Sequence, residues 1–120
     1  MPTPPPDARD TLILLRPDFL DQGTRWFCPY SAQVRGMLAY YPGLADSLEV
    51  VEVDFARPRE LLAELLGDGG KSLPVLVLHE SSPTEVAGVN VAEAQGRRYV
   101  DKTIEILRYL AVTRGTSPPH

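Results

Sequence analysis

A chain of 120 residues, 43 % of them hydrophobic, is one small domain with enough apolar material for a core without covalent staples. Its net charge of −4 argues against a general nucleic-acid binder, which needs a basic footprint. The single cysteine excludes an internal disulfide and fits a reducing compartment. With no apolar run of membrane-spanning length and a start without the apolar core of a signal peptide, the expectation is a soluble, cytoplasmic protein without nucleic-acid or membrane partners.

Residues 1–10 open with four prolines between Pro2 and Pro6 and read as an extended tail. Thr11-Leu12-Ile13-Leu14-Leu15 is a short continuous apolar run, the pattern of a strand buried on both faces. Phe19 to Arg25 reads as a loop with Gly23 as its turn residue. Tyr30 to Tyr41 is a predicted helix, with Val34, Met37, Leu38 and Tyr41 at helical spacing and Pro42-Gly43 as its stop. Arg35 on this helix is expected to face solvent.

Leu48 to Phe55 alternates as a second strand, so a right-handed βαβ unit is expected. Pro58 opens a second helix that runs to about Leu66, with Leu61, Leu62, Leu65 and Leu66 as its buried stripe and Gly67 and Gly69-Gly70 after it. Arg57 and Arg59 flank its start, either as solvated charges or as partners for an anion. The third strand is Pro74-Val75-Leu76-Val77-Leu78. A fourth is expected around Glu85 to Val89, after the turn Ser81 to Thr84, with Asn90 to Gly96 as a loop. A last helix runs from about Asp101 to Thr113, with Ile104, Leu107, Leu110 and Ala111 on its inner face, and residues 115–120 form a C-terminal tail. The expected domain is therefore 11–114, α/β in class, with a mixed four-stranded sheet and the order β-α-β-α-β-β-α.

Trp26-Phe27-Cys28-Pro29-Tyr30-Ser31 joins the first strand region to the first helix. Pro29 suits the first helical position, which puts Cys28 at the N-cap, its sulfur before the free N–H groups of Tyr30 and Ser31. Those donors and the helix dipole favour negative charge on sulfur, and the Ser31 hydroxyl is a further candidate donor. Taken alone, the motif leaves two roles open for Cys28: sulfur nucleophile, or small packed residue.

Cys28-Pro29-Tyr30-Ser31 resembles the Cys-Pro-Tyr-Cys site of glutaredoxins, with serine at the second cysteine position. Leu73-Pro74 falls where proteins of the thioredoxin superfamily carry a cis proline opposite the cysteine. Thr103-Ile104-Glu105-Ile106-Leu107-Arg108-Tyr109-Leu110 resembles the end of the N-terminal domain of glutathione transferases. The whole resembles a group of bacterial thioredoxin-like proteins with Phe-Cys-Pro before the first helix. The resemblance implies a thioredoxin-like three-layer α/β/α fold.

It also implies site roles. Cys28 would be the nucleophile with Ser31 beside it, and Pro29, Tyr30, Leu73 and Pro74 would form the substrate wall, the Leu73 backbone pairing with a cysteinyl group. Thr103 would help hold the γ-glutamyl end of glutathione. Lys102 stands where the transferases have an acidic residue, so Asp101 is the candidate replacement. Glutathione would be a co-substrate rather than a resident cofactor. No metal site is expected, since His79 and His120 lack ligand spacing with Cys28.

Two functions follow from these readings. One is a monothiol glutaredoxin-like thiol–disulfide oxidoreductase acting through Cys28 on a glutathionylated or disulfide substrate. The other is a redox-inactive binding module on the same fold. A monomer and a homodimer are both compatible with the sequence.

Overall fold

The computed structural model describes residues 8–57, 59–67 and 72–120. The residues expected as the proline-rich tail, together with Pro58 and Gly69-Gly70, lie mainly or wholly outside these. Strands β1 (Asp10–Leu15), β4 (Leu48–Val53), β5 (Val75–Val77), β6 (Ala92–Ala94) and β7 (Arg97–Val100) form one mixed sheet in the order β4-β1-β5-β7-β6. β1 and β4 are parallel; the other three pairings are antiparallel. Helices α1 (Pro29–Tyr40), α2 (Glu60–Leu66) and α3 (Thr103–Arg114) complete the fold, with a 3-10 turn at Pro42–Ser47. A separate hairpin is made by β2 (Phe19–Asp21) and β3 (Thr24–Trp26).

Two apolar clusters divide the sheet by face. Leu12, Leu14, Leu48, Leu76, Leu78 and Val100 pack with Val34, Met37 and Leu38 of α1 and Ile106, Tyr109 and Leu110 of α3. Ile13, Val75, Val77 and Tyr99 pack with Leu62 and Leu66 of α2. Because side chains alternate along a strand, a fully apolar β1 serves both clusters, which is why Leu12, Ile13 and Leu14 are all completely buried. Helices α1 and α3 therefore share one face of the sheet, and α2 lies on the other.

The main sheet has five strands, not four. The segment expected as a strand, Glu85 to Val89, is irregular, and the pairing with β5 is made instead by Arg97–Val100. The expected loop Asn90 to Gly96 contains β6, which turns into β7 through Gln95 (φ 53°) and Gly96 (φ 73°). Two successive positive φ values are what a tight two-residue hairpin needs. The loop Phe19 to Arg25 is likewise a hairpin, turning at Gln22 (φ 52°) and Gly23 (φ 80°).

On α3 the inner face is Glu105, Ile106, Tyr109, Leu110 and Ala111; Ile104 is 41 % exposed. α2 stops at Gly67, whose φ of 58° excludes most other residues. A Cβ there would also meet the Gln95 side chain, so the end of α2 lies beside the β6–β7 turn. Arg35 is half-exposed and reaches Glu52 of β4 at 3.2 Å.

Candidate functional site

The sequence places Pro29 at the first position of α1, and Cys28 becomes its N-cap with extended backbone (φ −80°, ψ 115°). The Cys28 sulfur accepts a hydrogen bond from the Ser31 N–H at 3.4 Å. Cys28 is partly buried, so the sulfur is held by the helix start while the residue keeps some solvent access.

Ser31 is 4 % exposed, and its hydroxyl oxygen accepts from the Leu15 N–H at 3.1 Å. That bond ties the first turn of α1 to the end of β1 and satisfies a buried backbone donor. It is the backbone of Ser31, rather than its side chain, that meets the sulfur.

Around Cys28 the surface is apolar and open. Trp26 is 51 % exposed, Phe27 63 % and Tyr30 56 %, with Leu20 of β2 also exposed. The Trp26 indole N–H donates to the Asp21 carbonyl, which fixes the ring along the hairpin. The hairpin itself is anchored by Phe19, which stacks on Phe55 with ring centroids 4.4 Å apart.

The remaining expected residues gather at the same end of the sheet. Ile13 pairs with Val75, so β5 begins beside the end of β1, and the Leu73–Pro74 bond before it is cis. Leu76 pairs with Val100, so Asp101, Lys102 and Thr103 emerge at that end as well, two strands or about 10 Å across from β1. Lys102 caps α3 without a side-chain hydrogen bond, and Thr103 is its first residue. The carboxylate of Glu105, one turn in, is buried and accepts from the Asn90 N–H.

With the geometry of this end in place, the family match can be set beside it: residues 9–118 match DUF3088, described as a protein of unknown function. The chain belongs to the DUF3088 family. No curated protein and no solved structure matches it.

In this DUF3088 chain one basic residue adds to the site that the sequence presented only as flanking a helix. Arg59 lies against the Phe55 ring, 5.8 Å from guanidinium carbon to centroid, and donates to the Phe55 carbonyl at 3.0 Å. Its Nε is buried without a hydrogen-bond partner among the described residues. Burial holds the Arg59 guanidinium below the ordinary arginine value, the neighbouring Arg57 charge acts the same way, and Cys28 acts in the opposite sense. A cation thus stands within electrostatic reach of the sulfur. The signal for it in the sequence was only the pair of arginines after Phe55; their relation to Cys28 depends on α2 returning to the same end of the sheet. Arg16, at the end of β1, pairs with Asp54 instead, and Arg25 donates to the Asp18 carbonyl. Among the described residues, no three His, Cys, Asp or Glu side chains come together as a metal site.

Proposed function

We propose that this DUF3088 chain is a monothiol thiol–disulfide oxidoreductase of glutaredoxin-like character acting through Cys28. The observation that carries the reading is the position of Cys28: N-cap of α1, sulfur on the Ser31 N–H, partly exposed. A thioredoxin-like fold is part of the proposal. Its support is the strand order β4-β1-β5-β7, with one parallel pair at β1 and Leu73–Pro74 entering β5 beside it.

In the proposed reaction the Cys28 thiolate attacks the glutathione sulfur of a glutathionylated substrate. A Cys28–glutathione disulfide forms and the substrate leaves as its thiolate. A second glutathione thiolate then attacks the glutathione sulfur of this mixed disulfide, releasing glutathione disulfide and regenerating the Cys28 thiolate. No second protein cysteine is required. The Leu73 backbone and the Asp101–Thr103 corner are the proposed contacts for glutathione, with Pro29 and Tyr30 as the wall beside the sulfur.

The test is mass spectrometry after incubation with glutathione disulfide, together with glutathione-dependent reduction of a small mixed disulfide. The wild-type chain should gain one glutathione and turn over, and Cys28→Ser should do neither. Turnover by Cys28→Ser equal to wild type would defeat the proposal. The exposed aromatic residues Trp26, Phe27 and Tyr30 around Cys28 favour a second reading, a binding module. A wild-type chain that forms no mixed disulfide, with a partner retained equally by Cys28→Ser, would select it.

A further inference from the structure

Two separate paths through the fold bring Arg59 to the Cys28 end of the sheet. Along the sheet, Leu15 at the end of β1 donates its N–H to the Ser31 hydroxyl in the first turn of α1, and it pairs with Val53 at the end of β4. Phe55 follows Val53 by two residues. Along the hairpin, Trp26 lies two residues before Cys28 and pairs with Phe19, whose ring stacks on that of Phe55. Arg59 is attached where the paths meet: its guanidinium lies against the Phe55 ring and donates to the Phe55 carbonyl.

The carboxylates on this side of the molecule have other partners or stand in solvent. A cavity of about 370 Å³ is lined here by Arg16, Arg57 and Arg59 together with Glu52, Asp54 and Glu60. Asp54 pairs with Arg16, and Glu52 with Arg35. Glu60, the first residue of α2, is exposed, as is Arg57. Arg59 is half-buried, and its Nε is buried without an acceptor. Among the described residues it has no carboxylate partner. A charge that is held in place and partly out of water is screened less than one on a mobile surface chain, so its field carries further.

We propose that Arg59 is a positioning residue for the thiol chemistry of Cys28: its held guanidinium supplies the positive charge that favours the Cys28 thiolate over the thiol, whose proton passes to solvent. The inference rests on the reading of Cys28 as a nucleophile. The Ser31 N–H and the start of α1 favour the anion locally. Arg59 adds a full charge from a second element. The influence of Cys28 on the Arg59 guanidinium is the same interaction seen from its other end. Arginine suits the role because it keeps its charge across the pH range in which a thiol titrates.

The experiment is the pH dependence of Cys28 alkylation by iodoacetamide, an uncharged reagent, on the full chain, read by mass spectrometry. Arg59→Gln should raise the midpoint of the profile by about half a pH unit or more, roughly a threefold loss of rate below the midpoint. Arg59→Lys, which keeps the charge and loses the planar group, should lie closer to wild type than to Arg59→Gln. Arg57→Gln, at the exposed neighbour, should move the midpoint less than Arg59→Gln does. Comparing Arg59→Lys with Arg59→Gln separates charge from any loosening of α2 common to both, and Arg59→Met takes the place of Arg59→Gln if that variant does not fold. Equal midpoints in wild type and Arg59→Gln would overturn the inference. So would equal shifts in Arg59→Lys and Arg59→Gln, or in Arg57→Gln and Arg59→Gln. Alkylation needs neither glutathione nor turnover. The expected shift in a chain that forms no mixed disulfide with glutathione would therefore sink the reaction proposed above and leave this inference standing.

Discussion

At the scale of single residues, Ser31 and Tyr109 show how a side chain's partner decides its role. Ser31 stands three residues after the cysteine, where the motif suggests a donor to sulfur, yet its hydroxyl oxygen is engaged by the Leu15 N–H. Ser31→Ala leaves that buried donor unpaired, so it should cost about 1–3 kcal/mol, read from urea unfolding. The Ser31 N–H to sulfur survives the substitution, so mixed-disulfide formation at Cys28 should persist. Tyr109 is fully buried, and its hydroxyl donates to the Pro83 carbonyl at 2.7 Å. Burial, joined by the charge of Asp10 and partly offset by Arg114, pushes its pKa up to about 12 from the ordinary 10.0. The folded state therefore holds a proton that the unfolded chain releases first. The stabilisation is complete below pH 10 and is lost as pH rises to about 12, a drop of about 2 kcal/mol. Tyr109→Phe should remove this alkaline loss from the pH dependence of unfolding, at a cost of about 1 kcal/mol at neutral pH for the missing hydrogen bond.

At the scale of elements, the β2–β3 hairpin stands apart from the main sheet. It pairs with no strand of the main sheet and is held by Phe19 stacked on Phe55. Phe19→Ala removes an aromatic pair worth about 1 kcal/mol together with its buried area. Amide exchange should speed up in Leu20 to Trp26 and stay slow in β1, because the hairpin can open without the core. Equal acceleration in both would show that the hairpin unfolds only with the whole domain. The same loose attachment exposes Trp26 and Phe27, the residues that lead into Cys28.

At the scale of the whole molecule, the first strand and the last helix are joined by a buried ion pair. Arg114 Nη2 donates to Asp10 at 2.9 Å, and both side chains are almost wholly buried. The other Asp10 oxygen accepts from the His79 N–H and the Ser82 hydroxyl. Arg114 also donates to the Ser47 hydroxyl, where the 3-10 turn meets β4. One carboxylate thereby connects segments more than 100 residues apart. Asp10→Ala strands a buried guanidinium, a backbone N–H and a hydroxyl together, and should cost about 3–5 kcal/mol in a denaturant titration. No helix among the described residues is long and apolar enough to cross a membrane.

What the sequence by itself determined was local. Continuous apolar runs marked β1 and β5, helical spacing marked Val34, Met37 and Leu38, and Pro29 located the start of α1 one residue after Cys28. These depend on neighbours within a turn or a strand, so the chain carries them in short range. The tertiary structure decided the partners. Val75 to Val77 pairs with Arg97 to Val100 rather than with the nearer Glu85 to Val89, because pairing depends on which residues the β6–β7 turn aligns. Asp10 and Arg114, ordinary charges in the sequence, become a buried pair only when the two ends of the chain meet. The position of Arg59 relative to Cys28 has the same origin. Charges that lie far apart along a chain carry no pattern until the sheet order sets the distance between them.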